Sequence, residues 1–454
     1  MKKILAVLLI AAMSISLLTA CGGSSNAQGG EAAPAAASSA KSEAAAPAAE
    51  AKSEAAPAEE AKSEAPAAEE KSEAPAAEEK SEAPEAAPAG DYITPPDSHV
   101  ALVDQDTSKA EYTLYVANHD ATTSMCEAYI ETLCNMINQE SGGRIAFVYN
   151  PGGSLLGSME TIDGVKDGTA DICWSTTAFF SSRFPVSEFI NLCANGCTSA
   201  RMATDVFQQM YEEIPEVQAE FKDWKVLALH SCSYGPVSTV GKKIETKEDF
   251  AGMQIRTAGA IPTQYLTALG ANPMSVPTPD VYESVEKGVI DGFTNDWHNI
   301  DCFKLYQPID YCLDLPISYS ACFVLMNKDT YESLPDDLKA IIDKYAGNYA
   351  GDMAGYWWDS CNYWVADKMV ANGVEVYKPS DELYNWATSP EITDAIHAWY
   401  VNDYLIGQCK IANGQELFDK CMEIVEQNKA AHEHDWDAPF SYLNWNYTPD
   451  NLPG

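Results

Sequence analysis

The chain has 454 residues, of which 46% are hydrophobic, and it carries a net charge of −39. So acidic a protein repels nucleic acid and anionic membrane surfaces, which argues against nucleic-acid partners. Its length suffices for a leader, a linker and two lobes of ordinary domain size.

The first twenty residues are typical of a secretory signal peptide. Lys2 and Lys3 precede the apolar run Ile4–Leu18, and small residues then lead to Cys21. The order Leu-Thr-Ala-Cys resembles a bacterial lipoprotein cleavage box, so we expect cleavage after residue 20 and a lipid on Cys21. The alternative is an ordinary signal peptide with an incidental cysteine. A transmembrane helix is disfavoured because the apolar run is too short to span a bilayer.

Residues 21–98 are predicted to form a disordered tether. The phrase Lys-Ser-Glu-Ala recurs between Lys41 and Lys80, padded with Ala, Pro and Glu. Such a composition buries too little apolar surface to offset the entropy of ordering, and the repeated prolines interrupt any helix. The sequence therefore predicts a lipid anchor on the membrane, a spacer, and a folded part at 99–454.

Short strands alternate with helices in the folded part. The predicted elements, in chain order, are strand Tyr112–Ala117, helix Ser124–Glu140, strand Ile145–Tyr149, helix Ser158–Asp167, strand Asp171–Trp174, helix Ala200–Phe221, strand Lys225–Leu229, strand Gln254–Arg256, helix Pro262–Leu269, strand Asn272–Val276, helix Pro279–Lys287, strand Val289–Phe293, strand Tyr319–Met326 and a helical stretch Pro335–Asn372. This alternation predicts an α/β fold with helices on both faces of its sheets. Two such units followed by a returning strand are typical of a two-lobed, hinged binding protein.

Arg256 is the only cation in the segment Ala251–Ala260. It stands at the end of a predicted buried strand, and ligands of such sheets bind beyond the carboxyl ends of strands. A guanidinium offers a planar fork of donors that fits a carboxylate through two parallel hydrogen bonds. The alternative is a structural salt bridge between Arg256 and a buried acid.

Five motifs in a fixed order resemble the substrate-binding proteins of tripartite ATP-independent periplasmic (TRAP) transporters. They are Pro151–Gly157, Ile162–Ile172, Gly252–Thr257, Leu269–Met274 and Asp280–Asn295. The resemblance implies a two-lobed, periplasmic-binding-protein-like (Venus-flytrap) α/β fold with hinge strands and a long C-terminal helix. It also implies a receptor without a cofactor, not an enzyme, that binds a small organic acid and passes it to the large and small membrane subunits of a TRAP permease.

The resemblance also implies a set of binding residues. Arg256 takes the position of the carboxylate-binding arginine, Asn295 that of a second donor to the same carboxylate, and Thr278 that of a pocket residue. The other expected cleft residues are His119, Asp120, Trp174, Ser175, Thr176, Tyr234 and Trp297. For the aromatic residues the alternative is core packing, and for His119 beside Asp120 it is a capped turn.

The expected ligand is a monocarboxylate with an apolar or aromatic remainder. Some members of the family carry a second arginine just before the hinge, but Ser233–Thr239 contains none. A second buried carboxylate would then lack a partner.

Competing interpretations have weaker support in the sequence. Neither a Gly-x-Ser-x-Gly elbow nor a His-Glu-x-x-His motif occurs, and His432, His434 and Asp435 are interpreted as a solvated polar run, so no metal site is expected. Most cysteines lie in apolar runs and are interpreted as small hydrophobes, while a bridge between Cys193 and Cys197 stays open. The alternative functions are a receptor for another importer class and an extracellular interaction or sensory protein.

Overall fold

The computed structural model describes residues 100–180, 182–192, 194–437, 445 and 447–451. The predicted signal peptide, Cys21 and the tether lie outside these residues, as does Cys193. Within the described residues, no helix combines the length and the hydropathy that a membrane crossing requires. The cysteines described there are free, and most are buried.

Eleven strands form two sheets. The strands are β1 (Tyr112–Ala117), β2 (Ile145–Asn150), β3 (Ile172–Thr176), β4 (Trp224–Cys232), β5 (Val237–Thr239), β6 (Gln254–Thr257), β7 (Asn272–Ser275), β8 (Gly292–Thr294), β9 (Tyr311–Leu313), β10 (Ser320–Asn327) and β11 (Glu375–Tyr377), all within the described part of the chain. The first sheet has the order β2-β1-β3-β10-β4, and the second has the order β11-β9-β5-β8-β6-β7.

Helices cover both sheets. Those described are α1 (Met125–Glu140), α2 (Thr161–Lys166), α3 (Ala200–Glu213), α4 (Pro215–Glu220), α5 (Ala260–Ala268), α6 (Val281–Glu286), α7 (Trp297–Cys302), α8 (Lys328–Ser333), α9 (Asp336–Tyr345), α10 (Asn348–Ala371), α11 (Asp381–Ala387), α12 (Pro390–Trp399) and α13 (Gly414–Asn428), with a π-helical segment at Tyr400–Gln408.

Two predicted helices are each divided in the structure. The helix predicted at Ala200–Phe221 breaks at Ile214, which is extended because the ring of Pro215 disfavours helical geometry in the residue before it. The stretch Pro335–Asn372 breaks at Gly347, whose φ of 65° lies in the left-handed region that glycine adopts without strain. Strands β5, β9 and β11 were not predicted: each has three residues, too few to show a periodic pattern, whereas the equally short β8 overlaps the predicted strand Val289–Phe293.

Two short crossings carry the chain between the two sheets, and a third passage, from β10 to β11, runs through α8, α9 and α10. Residues 233–236 connect β4 to β5, and residues 314–319 connect β9 to β10. The crossings are bonded to each other: the Gly235 N–H donates to the Ser318 carbonyl at 3.0 Å, and the Ile317 N–H donates to the Gly235 carbonyl at 3.1 Å. The Tyr234 hydroxyl also donates to Asp314 Oδ1 at 2.7 Å. These paired segments are the hinge strands that the sequence predicted.

The longest described helix, α10, spans 24 residues and is the long C-terminal helix expected from the sequence. It packs against α3 and β4 beside the first sheet and against α7 and β11 beside the second. Its Trp358 ring stacks on Trp174 of β3 with the ring centroids 6.1 Å apart. The helix therefore supports the strand that carries a predicted cleft residue.

The segment after α13 is packed on α3, so its interpretation as a solvated run is wrong for His432 and Asp435. His432 is 8% exposed; its Nδ1 lies 2.9 Å from Asp435 Oδ2 and its Nε2 lies 3.0 Å from Asp205 Oδ2. His434, by contrast, is exposed and pairs with Asp437 on the surface. The local sequence could not distinguish the two histidines, because His432 is buried by α3, which is distant in the chain.

His432 should make stability depend on pH. Burial acts to lower its pKa, but hydrogen bonds to Asp205 and Asp435 outweigh burial and raise the pKa to about 9. The unfolded value is about 6.5, so the stabilisation is complete below about pH 6.5 and is lost as the pH rises through 9. We expect His432→Asn to lower the free energy of unfolding by at most roughly 3 kcal/mol at pH 6 and by much less at pH 10, measured by urea denaturation. The exposed His434→Asn variant is the control, and an equal loss for His432→Asn at both pH values would contradict the prediction.

Candidate functional site

Arg256 lies near the end of β6 and is held by a ring of oxygen acceptors. Its Nε donates to the Val276 carbonyl at 2.8 Å, its Nη1 to Asn295 Oδ1 at 2.7 Å, and its Nη2 to Thr278 Oγ1 at 2.8 Å. A longer Nη1 contact of 3.4 Å reaches the Thr294 carbonyl. Because β6 runs parallel to β7 and β8 on either side, both neighbours deliver acceptors near their carboxyl ends. The guanidinium is thus fixed in orientation before any ligand arrives.

The charge of Arg256 is not neutralised by a direct partner. Its four acceptors are uncharged, and in the described part of the chain no acidic side chain forms an ion pair with it. Burial lowers the pKa of Arg256 to about 10, and the charge of Asp296 partly offsets this effect. The side chain therefore stays protonated at pH 7 and keeps one of its five N–H donors for a ligand. The structural salt bridge considered as an alternative does not form.

A cavity of about 740 Å³ opens in front of Arg256. Its wall includes residues of β3, β4 and β10 from the first sheet and residues that follow β6 and β7 in the second. A smaller adjoining space of about 70 Å³ is lined by Arg256 together with Asn295. The volume lies in the range of sites for small organic molecules.

The wall beside the first sheet is aromatic. The His119 ring lies 5.3 Å from Trp174 and 5.2 Å from Phe179, measured between ring centroids. Trp174 is fixed by a hydrogen bond of 2.8 Å from its Nε1 to His230 Nε2. Burial lowers the pKa of His119, so its imidazole is mostly neutral at pH 7. This wall offers uncharged, flat surfaces to a ligand.

Two carboxylates, Asp120 and Asp296, also line the cavity. Between them lies His298, with Nε2 3.5 Å from Asp120 Oδ2 and Nδ1 3.6 Å from Asp296 Oδ1. All three residues are buried. Among the described residues that line the cavity, Arg256 is the one arginine and there is no lysine. The cavity therefore combines one permanent cation with two acids.

Most of the predicted site residues meet at this cavity. The predicted residues that line it are His119, Asp120, Trp174, Thr176, Arg256 and Thr278, and Asn295 lines the adjoining space. Asn295 was expected to donate to the ligand; in the structure its side-chain oxygen accepts from Arg256, so it also positions the guanidinium.

Ser175, Tyr234 and Trp297 do not line the cavity, which corrects their predicted placement. Ser175 lies between Trp174 and Thr176, and successive side chains of a strand point to opposite faces. Tyr234 belongs to the first crossing and bonds to the second one. Trp297 is 2% exposed and packs edge-on against Tyr234 with the ring centroids 6.4 Å apart. The alternative of core packing holds for both aromatic residues.

Sequence reasoning missed three contributors to the site. Phe179 belongs to a short 3-10 turn and lines the cavity. The Thr176 side chain caps this turn by accepting a hydrogen bond from the Ala178 N–H. Asp296 directly follows Asn295 and caps α7. The sequence did contain a signal for Phe179: the capping residue Thr176 stands at the end of a strand, and an aromatic residue follows it. The contact with Val276 uses its main-chain carbonyl, so the residue type at this position could not predict it.

Two α/β lobes joined by paired crossings, with a cavity that presents one un-neutralised arginine, define a solute receptor for small anions. Residues 116–389 match the bacterial extracellular solute-binding protein family 7 (DctP), and the chain belongs to this family. Its members are extracytoplasmic receptors of TRAP transporters for organic acids, not enzymes. The assignment made from the sequence motifs is thereby confirmed.

Individual relatives agree with this assignment. The 2,3-diketo-L-gulonate-binding periplasmic protein YiaO of Escherichia coli strain K12 is 22% identical over 273 residues, which are 59% of this chain and 81% of that protein. A TRAP solute-binding protein of an unidentified marine microbe, specific for aromatic acids and crystallised with 3-hydroxybenzoate, matches with a TM-score of 0.66 and 25% identity over 70% of this chain and 99% of its own. A TRAP solute-binding protein of Rhodoferax ferrireducens T118 with copurified benzoate matches with a TM-score of 0.64 and 26% identity over 70% and 99% of the two chains. The predicted two-lobed fold is confirmed by these structures.

The absence of a direct counter-charge at Arg256 can be tested by measuring stability without a ligand. Asn295→Asp keeps the side-chain shape and places a carboxylate beside Nη1, so the ligand-free protein should gain about 1 kcal/mol or more in free energy of unfolding, measured in urea. Asn402→Asp adds the same charge at an exposed position and is the control. If Asn295→Asp is no more stable than Asn402→Asp, Arg256 is already compensated and our description of the site fails.

Proposed function

We propose that this protein captures an organic monocarboxylate with an apolar or aromatic remainder and delivers it to a TRAP-type membrane permease. The observation that carries the proposal is the buried guanidinium of Arg256, which is fixed by neutral acceptors and faces the cavity with its charge unpaired. A carboxylate supplies the missing charge and accepts from the one N–H that the protein acceptors leave free. Because water is largely excluded from such a site, the pair is stronger there than on a surface.

The charges in the cavity favour one carboxylate over two. A second carboxylate of the ligand would share the cavity with Asp120 and Asp296, whose charges His298 partly offsets, and no lysine or further arginine among the described lining residues would balance it. Like charges at close range in a desolvated site cost several kcal/mol. A monocarboxylate avoids that repulsion while still satisfying Arg256.

The aromatic wall favours a flat apolar remainder. His119, Trp174 and Phe179 offer ring faces and edges, and aromatic rings pack well in offset or edge-on arrangements. The structural relatives with bound 3-hydroxybenzoate and benzoate support the same ligand class. An aromatic acid would place its carboxylate at Arg256 and its ring against this wall.

Capture and delivery follow from the hinge. A ligand that contacts both lobes stabilises the closed arrangement and so shifts an existing equilibrium between open and closed forms. The closed receptor would then dock on the large and small permease subunits. We further propose that residues 1–20 are a signal peptide, that Cys21 carries a lipid anchor, and that residues 21–98 tether the two-lobe domain at 99–454 to the membrane.

The carboxylate contact is tested by calorimetric titration of the full chain with benzoate, 3-hydroxybenzoate and succinate. Both aromatic acids should bind and succinate should bind at least tenfold more weakly. Arg256→Lys should weaken the aromatic acids at least tenfold, or about 1.4 kcal/mol, because a lysine lacks the rigid guanidinium that Val276, Asn295 and Thr278 hold in one orientation.

Arg183→Lys is the matched control, since Arg183 is a surface residue that pairs with Asp163. If Arg256→Lys binds the aromatic acids as tightly as the wild type does, Arg256 does not bind their carboxylate. Preferred binding of succinate would show that the cavity accepts a dicarboxylate, against the proposal.

The membrane anchor has its own test in the producing bacterium. Cys21→Ser removes the thiol that a lipid would modify, so the protein should move from the membrane fraction to the soluble extracytoplasmic fraction, followed by immunoblotting. Cys409→Ser, which changes a cysteine of the folded domain, should remain with the membrane. An unchanged membrane association of Cys21→Ser would contradict lipidation at this residue.

A further inference from the structure

Three potential metal ligands meet beneath the cavity: Asp120, His298 and Cys302. One ligand atom of each, a carboxylate oxygen, an imidazole nitrogen and the sulfur, lies within 4.8 Å of the other two. His298 and Cys302 are four residues apart on α7, which places them on one face of the helix. Asp120 follows β1 of the first sheet, whereas α7 follows β8 of the second. The cluster therefore joins elements of both lobes.

An unsatisfied buried oxygen marks the centre of this cluster. Asp120 is 1% exposed, and its Oδ2 has no hydrogen-bond partner among the described residues. His298 lies within ion-pair distance of this oxygen but makes no hydrogen bond to it, so a closer donor or cation would stabilise it. Within the cluster, His298 Nε2 lies 3.5 Å from Asp120 Oδ2. That separation is close to the ~3.4 Å between nitrogen and oxygen ligands on a tetrahedral zinc ion with bonds of about 2.0–2.1 Å.

His298 is oriented as a metal-binding histidine usually is. Its Nδ1 faces Asp296 Oδ1 at 3.6 Å, and a carboxylate on this side directs the lone pair of Nε2 towards the cluster. The Cys126 N–H donates a long hydrogen bond of 3.4 Å to the same Nε2. Asp296 is thus placed to support the ring from outside the ligand set.

We infer that Asp120, His298 and Cys302 form a binding site for a Zn²⁺-like cation, with an open fourth position towards the cavity that Asp120 lines. Sulfur and imidazole ligands suit zinc and disfavour Ca²⁺ and Mg²⁺, which take oxygen ligands. The bound ion would hold the two lobes together at this point. The inference does not depend on the identity of the cargo. Since the thiolate and the carboxylate balance the dication, the filled site would not act as a second cation for a dicarboxylate.

The test is a titration of the reduced full chain with Co²⁺, whose bonds to thiolate produce an ultraviolet charge-transfer band. We expect one equivalent of Co²⁺ to produce the band, one equivalent of Zn²⁺ to abolish it, and excess Ca²⁺ or Mg²⁺ to leave it unchanged. Cys302→Ser should lose the band. Cys409→Ser should keep it, since Cys409 is also half-buried and free but lies outside the cluster.

A second variant keeps the inference falsifiable if Cys302→Ser is poorly folded. Asp120→Asn preserves shape and should weaken Zn²⁺ binding at least tenfold by competition titration, with its fold checked by far-ultraviolet circular dichroism. The inference is overturned if the wild type gives no band, if the band persists in Cys302→Ser, or if Asp120→Asn binds Zn²⁺ like the wild type. In each of those cases Asp120, His298 and Asp296 form a cluster of ion pairs without a metal.

Discussion

The site depends on a buried guanidinium that has hydrogen bonds but no counter-charge. Burial lowers the pKa of Arg256 to about 10, which shows that the protein environment disfavours its charge. The neutral oxygens of Val276, Thr278 and Asn295 hold the group in one orientation without cancelling that charge. An arriving anion therefore meets a donor array that is already desolvated and oriented, so little reorganisation opposes binding. A carboxylate of the protein in the same place would stabilise the fold and remove the function.

The topology explains how this arrangement is built. Strands β7 and β8 flank β6 in parallel, so all three carboxyl ends meet at one edge and place their acceptors around Arg256. The first sheet contributes the opposite, aromatic wall from β3 and the turn after it. The two crossings, the packing of α10 and the contacts of α7 with α1 relate these walls to each other. A small change at the crossings would therefore change the distance between the charged and the aromatic parts of the cavity.

The sequence predicted those features that depend on local order along the chain. Arg256 followed from a strand-end position, and the two lobes followed from alternating strands and helices with family motifs in order. The direction in which a side chain points was harder to predict from the sequence. Ser175 was grouped with its neighbours although strand alternation turns it away, and Trp297 was grouped with Asn295 although the first turn of α7 buries it beside Tyr234. His432 and His434 differ only in what covers them, and that cover comes from a helix more than two hundred residues earlier in the chain.

Under the proposed function, the charge distribution in the cavity favours one orientation of the ligand as well as one class of ligand. Arg256 attracts one carboxylate, while Asp120 and Asp296, which line the same cavity, repel a second one. A ligand with one charged end and one neutral end therefore has a single favourable orientation, whereas a ligand with two charged ends has none without an additional cation. Specificity of this kind comes from the repulsive element as much as from the attractive one. The acids beside His298 thus narrow the range of anions that an unpaired arginine alone would accept.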